Sequence, residues 1–79
     1  MKPSEMILRL LLKKNCATYS ELKEMLQQND YNPDGIYEYV KNIRRRNYVV
    51  LLKMGRKKVV CINEGVKREI ELLIKLLSK

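Results

Sequence analysis

Apolar residues crowd the first part of the chain at Met6, Ile7, Leu8, Leu10, Leu11 and Leu12, broken by Arg9 and closed by Lys13 and Lys14. Pro3, Ser4 and Glu5 precede them as a helix-start signal, which predicts a first helix over residues 4–14. Apolar around most of its circumference, that helix has to be covered on more than one face. Cys16 and Ala17 then give a short extended piece before Thr18-Tyr19-Ser20-Glu21. This is capping-box spacing: the Thr18 hydroxyl accepts from the Glu21 amide while the Glu21 carboxylate reaches back to the cap. A second helix is predicted over 19–28, with Leu22, Met25 and Leu26 on one buried face.

Asn29-Asp30-Tyr31 is turn composition, and Asn32-Pro33-Asp34 restarts a helix with a cap, a first-turn proline and a dipole-matched acid. The third helix is predicted over 33–46. Placing Ile36, Val40 and Ile43 inward, at about 100° per residue, leaves Asp34, Tyr37, Glu38, Lys41, Asn42 and Arg45 outward. The period then changes. Tyr48 to Leu52 reads as a strand, Met54-Gly55-Arg56-Lys57 as a turn with Gly55 free to take positive φ, and Val59 to Ile62 as the return strand. A last helix over 64–78 carries a stripe of Val66, Ile70, Leu73, Ile74 and Leu77, widened by Leu72 and Leu76. No linker, repeat or low-complexity tract divides these parts. The expectation is one α+β domain over residues 1–79.

Charge sharpens this outline. Lys41, Arg44, Arg45, Arg46, Lys53, Arg56, Lys57 and Lys58 fall within one stretch that holds no carboxylate, and the other Lys and Arg residues are matched by Asp and Glu, so the net charge of +8 belongs to residues 41–58. Surface charge is ordinarily just a solvated face. A cluster this dense, spread over the end of a helix and the hairpin after it, instead suits a polyanion, because each neutralised phosphate releases condensed counterions.

The absences point away from an enzyme. Without histidine there is no histidine-based triad, acid–base pair or His-containing zinc site, and two cysteines without CxxC spacing cannot make a four-thiolate one. Gly35, Gly55 and Gly65 begin no phosphate-binding loop. No metal, cofactor or small-molecule ligand is expected. The apolar stretch at residues 6–12 is broken by Arg9, lacks a small-residue cleavage site and is far shorter than the roughly 20 residues that span a bilayer. The chain reads as an intracellular, cytoplasmic protein that starts at its own Met1 and has no membrane partner. At 79 residues, it belongs to a size class that buries only about 60 % of its unfolded surface, so its stability margin is thin.

The order helix, extended piece, helix, turn, helix, β-hairpin, helix resembles the winged helix-turn-helix family. Thr18-Tyr19-Ser20-Glu21-Leu22 is similar to its second-helix opening, Ile36, Val40 and Ile43 fall where its recognition helix packs inward, and Arg46-Asn47-Tyr48-Val49 resembles the passage into its wing, with Met54 to Lys58 as the wing tip. Asn47 stands where many members have glycine, and asparagine also tolerates the left-handed conformation. The resemblance covers the whole architecture, but rests on apolar spacing with no invariant chemistry. Compact regulators of this kind resemble those of archaea, their viruses and plasmids.

The resemblance implies double-stranded DNA binding, with the third helix in the major groove and the wing on the backbone or minor groove. Arg45 or Lys41 suits guanine, Asn42 adenine, and Tyr37 a phosphate or thymine methyl group. Arg44 lies on the helix flank. Asp34 and Glu38 are acids on this face, suited to cytosine amino groups or to rejecting wrong sequences. Lys53, Arg56, Lys57 and Lys58 suit phosphates or a narrow minor groove, and Ser20 and Lys23 a phosphate at the head of the second helix. In a winged-helix sheet the piece before helix two pairs with the second wing strand, which would bring Cys16 near Cys61. The alternatives there are two reduced, buried thiols, a disulfide within the chain and a disulfide between chains. A homodimer through Ile70, Leu73 and Leu77, set on a palindromic site as a transcription regulator, competes with a monomer whose fourth helix folds back over the first. A protein-interaction module and an RNA or single-strand binder are the other functional readings.

Overall fold

A computed structural model describes residues 2–77 of the chain. Met1 and residue 78, taken above as the start of the protein and the end of its last helix, lie outside the described residues. The elements run α1 (Pro3–Lys14), β1 (Cys16–Thr18), α2 (Tyr19–Gln28), α3 (Ile36–Arg45), β2 (Val49–Met54), β3 (Lys57–Ile62) and α4 (Lys67–Leu77). The strands form one antiparallel sheet in the order β1-β3-β2. The fold is therefore α+β: four helices against a three-stranded sheet.

The helices contribute Ile7, Leu8 and Leu11 from α1, Leu22 and Leu26 from α2, Ile36, Val40 and Ile43 from α3, and Ile70 and Ile74 from α4. Ala17, Val49, Val60 and Ile62 complete the core from the sheet. Each fully buried Leu, Ile or Val contributes about 1.5–3 kcal/mol relative to its exposed state. The stripe predicted for the third helix is the one observed. Tyr39 packs at the core rim, its ring so close over Gly35 that a Cβ there would meet it at 3.0 Å.

Helix ends follow local hydrogen bonding. The capping box of α2 is complete: the Thr18 hydroxyl accepts from the Glu21 N–H at 3.2 Å, and a Glu21 carboxylate oxygen accepts from the Thr18 N–H at 3.3 Å. α3 closes with the Asn47 N–H donating to the Arg44 carbonyl, the Tyr48 N–H to the Ile43 carbonyl, and Asn47 itself left-handed at φ 65°. This is the paired 5→2 and 6→1 bonding of a Schellman end. Asn63 then fastens the hairpin base to that turn, its side-chain amide donating to the Asn47 carbonyl at 2.8 Å and its N–H to the Tyr48 carbonyl at 2.9 Å.

Three expected boundaries move. The third helix, expected from Pro33 to Arg46, begins as a separate 3-10 turn at Pro33–Gly35 and becomes α-helical at Ile36, because the Asn32 carbonyl accepts from the Gly35 N–H three residues on. The last helix likewise begins with a 3-10 turn, Glu64–Val66, capped by Asn63. The hairpin is longer than expected and its turn shorter: Met54 pairs with Lys57, so only Gly55 and Arg56 lie between the strands. Gly55 at φ 64° occupies the first central position, matching a type II′ turn.

Register explains the cysteines. Cys16 stands directly opposite Cys61, and the Ile62 N–H bonds the Asn15 carbonyl one pair away. The Cys16–Cys61 pair is thus a non-hydrogen-bonded one, the kind in which side chains of neighbouring strands come closest. A disulfide joins them and closes a separation of 45 residues, a constraint on the unfolded chain of about 4 kcal/mol by loop entropy. Reduction is predicted to lower the unfolding free energy in urea titrations by up to about that amount. Two free thiols in non-reducing mass spectrometry would contradict the bridge.

Candidate nucleic-acid interface

With Ile36, Val40 and Ile43 turned inward, helical geometry distributes the rest of α3 over an outer arc. Glu38, Lys41 and Arg45 are outermost. Tyr37 and Arg44 lie on the flank toward α2. Asn42 and Arg46 lie on the other flank, where with Arg45 they border a groove lined also by Pro3, Tyr48 and Leu77. Asp34, expected on the outer face of the helix, sits instead on the turn ahead of it, where its N–H donates to the Asn32 side chain at 3.0 Å. It is exposed, but removed from the helical arc.

The α2 flank is built around two tyrosines. Tyr19, the first residue of α2, holds its ring 5.2 Å from that of Tyr37 at an interplanar angle of 31°. The Lys23 ammonium lies 5.1 Å from the Tyr37 centroid, a cation–π contact of about 0.5–1 kcal/mol at an exposed site. Burial raises the Tyr19 phenol above its ordinary pKa, Tyr37 adds to that, and the Arg44 charge pulls the other way. Lys23 is thus laid across a ring, while Ser20 is exposed at the head of α2. Periodicity gave Tyr19 no role beyond its place in the capping box. The one available signal was an aromatic at the first helical position.

The hairpin divides its cations. Lys53 and Lys58 are paired directly opposite each other, on the sheet face that carries the core residues but beyond the core. Like charges so placed destabilise a sheet unless an anion lies between or beside them. Lys57 is on the other face, opposite Met54, and Arg56 is on the turn. Lys57 and Lys58, expected on the turn itself, therefore belong to β3, because the two-residue turn extends the ladder past them.

These pieces adjoin. Thr18 is both the cap of α2 and the register partner of Val59, so the basic end of the hairpin begins one residue beyond the start of α2. Tyr19 then links that start to Tyr37 on α3. Ser20, Lys23, Arg44, Lys41, Lys53 and Lys58 occur along this run, and no side chain in residues 41–58 is acidic. Among the described residues no cluster of His, Cys, Asp or Glu suited to a metal occurs, and no helix is long and apolar enough to cross a membrane. No protein-family model, curated protein or solved structure matches this chain.

The start of α2 is also held by an ion pair between the Lys14 ammonium and the Glu21 carboxylate. That bond foremost, then the one from the Thr18 N–H, holds Glu21 below its ordinary pKa. A carboxylate depressed by folding adds stability that is present above its unfolded pKa and lost as pH falls through the folded value. Chemical denaturation across the acid range is predicted to show Glu21→Gln losing part of the acid-side slope while changing little at low pH. An unchanged slope would mean that the pair does not hold in solution.

Proposed function

We propose that this chain is a winged helix-turn-helix protein that binds double-stranded DNA sequence-specifically and regulates transcription as a homodimer. α3 enters the major groove, and the basic hairpin lies on the backbone or adjacent minor groove. The observation that carries this reading is that the Thr18–Val59 pairing and the Tyr19–Tyr37 contact join the basic hairpin, the head of α2 and α3 to one another. Lys41 and Arg45 are the outermost donors for base edges, where a bidentate contact separates bases by about 1–3 kcal/mol. The opposed Lys53 and Lys58 gain most from a phosphate beside them. An RNA or single-strand binder needs open rings for stacking. Tyr37 is the one exposed tyrosine among those described, and Tyr19 and Lys23 already occupy its surroundings.

The dimer rests on α4, with its interface moved from Ile70 and Leu73 while Leu77 stays in it. Ile70 is 0 % exposed and belongs to the core, so it contacts no second copy, and Leu73 is half-buried. The outward apolar residues are Leu72, Leu76 and Leu77, at 56 %, 68 % and 57 % exposure. Two copies of α4 packed antiparallel about Leu72 set Glu69 in one copy opposite Lys75 in the other, twice over. Such self-complementarity is what a two-fold interface requires.

Binding to a random duplex library at two salt concentrations tests the DNA reading. Changing Arg56, Lys57 and Lys58 together to Ala is predicted to weaken every duplex and to flatten the salt dependence by about one unit of slope per lost phosphate contact. Arg45→Ala instead changes the preferred sequence. Unaltered affinity and preference in both variants would refute the assignment. In sedimentation, the pair Leu72→Glu and Leu76→Glu is predicted to leave a folded monomer, and a wild-type mass of 9.4 kDa at micromolar concentration would refute the dimer.

A further inference from the structure

The sheet has a second face whose apolar strip the DNA reading does not use. Register places Val50, Leu52 and Met54 of β2 on the same side as Val59 and Cys61 of β3, away from the core residues Val49, Val60 and Ile62. Val50, Leu52 and Met54 are 37 %, 49 % and 67 % exposed. β2 is also an edge strand. Because the Asn63 N–H bonds the Tyr48 carbonyl, the alternating pattern directs the backbone groups of Val50, Leu52 and Met54 toward β3 and those of Leu51 and Lys53 toward the open edge. An open edge beside an apolar strip is a template for an added strand.

We propose that β2 receives an extended acidic segment of a partner protein, added as a fourth strand, with alternate apolar side chains of that segment lying over Val50, Leu52 and Met54. Charge selects the occupant. Lys57 lies on the strip's own face at its far end and Arg56 on the adjoining turn, and no carboxylate lies between Lys41 and Lys58 to offset them. A second copy of the chain would bring a further +8 to this edge, whereas carboxylates alternating with apolar residues neutralise it and match the two-residue period of the strand. Lys57, on the same face as the strip, meets the carboxylates, while Lys53 and Lys58 on the opposite face remain for phosphate. The hairpin thus serves two partners through two faces.

The test is fluorescence anisotropy of the full chain with a labelled peptide alternating valine and glutamate. Its comparisons are a peptide with lysine in place of glutamate and one N-methylated at alternate residues so that it cannot pair with an edge. The alternating acidic peptide is expected to bind, both comparisons at least about tenfold more weakly. Val50→Thr and Leu52→Thr put strand-favouring β-branched residues at both positions and are expected to weaken the acidic peptide about tenfold while leaving duplex DNA affinity unchanged. Equal binding of the N-methylated peptide, or unaltered binding by both variants, would overturn the proposal. So would self-association in sedimentation that Leu52→Thr abolishes, which would give the face to a second copy, or loss of DNA affinity in that variant, which would give it to DNA.

Discussion

The charged hairpin is joined to the head of α2 by three residue pairs between β1 and β3. A two-stranded hairpin alone is marginal in water, and the β2–β3 hairpin carries an opposed pair of lysines that weakens it further. Its anchorage is the pairing of Cys16, Ala17 and Thr18 with Cys61, Val60 and Val59. Ala17 and Val60 tie it to the core, the disulfide closes one end, and Thr18 at the other end caps α2. Because a single residue ends the strand and caps the helix, the hairpin is tied directly to α2, and through Tyr19 to α3. The proposed DNA surface follows from that junction.

The same pairing gives the hairpin two unlike faces. Strand geometry sends neighbouring residues to opposite sides, so a run of consecutive cations near the tip is split, and a run of consecutive apolar residues behind it is split as well. One side continues from the core into Lys53 and Lys58. The other combines Val50, Leu52 and Met54 with the disulfide and Lys57. The ribbon therefore offers two chemically unlike surfaces.

Much of the architecture was legible in the residues. The Thr18–Glu21 spacing, the Ile36-Val40-Ile43 stripe, Gly55 in the turn and Asn47 at a left-handed helix end each have a local cause, and each is found where that cause puts it. Apart from the approach of Cys16 to Cys61, which the winged-helix resemblance implied, what failed to show was what depends on a neighbour distant in sequence. Tyr48 to Leu52 is apolar throughout, so its alternation was hidden until the register with β3 separated an inner face from an outer one. α4 is apolar around much of its circumference, and only its packing on α1 decided that Ile70 is core and Leu72 and Leu76 are surface. Periodicity told which side chains of α3 leave the core. It did not tell that Tyr37 meets Tyr19, or that Asn42 and Arg46 turn toward a groove at the start of α1.

On the function proposed above, the head of α2, the outer arc of α3 and the hairpin tip act as one DNA-binding surface. Amide chemical-shift mapping during titration with a short duplex addresses it residue by residue. The account predicts that perturbations gather at Tyr19 to Lys23, Tyr37 to Arg45 and Lys53 to Lys58, leaving Leu72 and Leu76 unmoved. Perturbations confined to the groove between α1 and α4, with the hairpin tip silent, would contradict it.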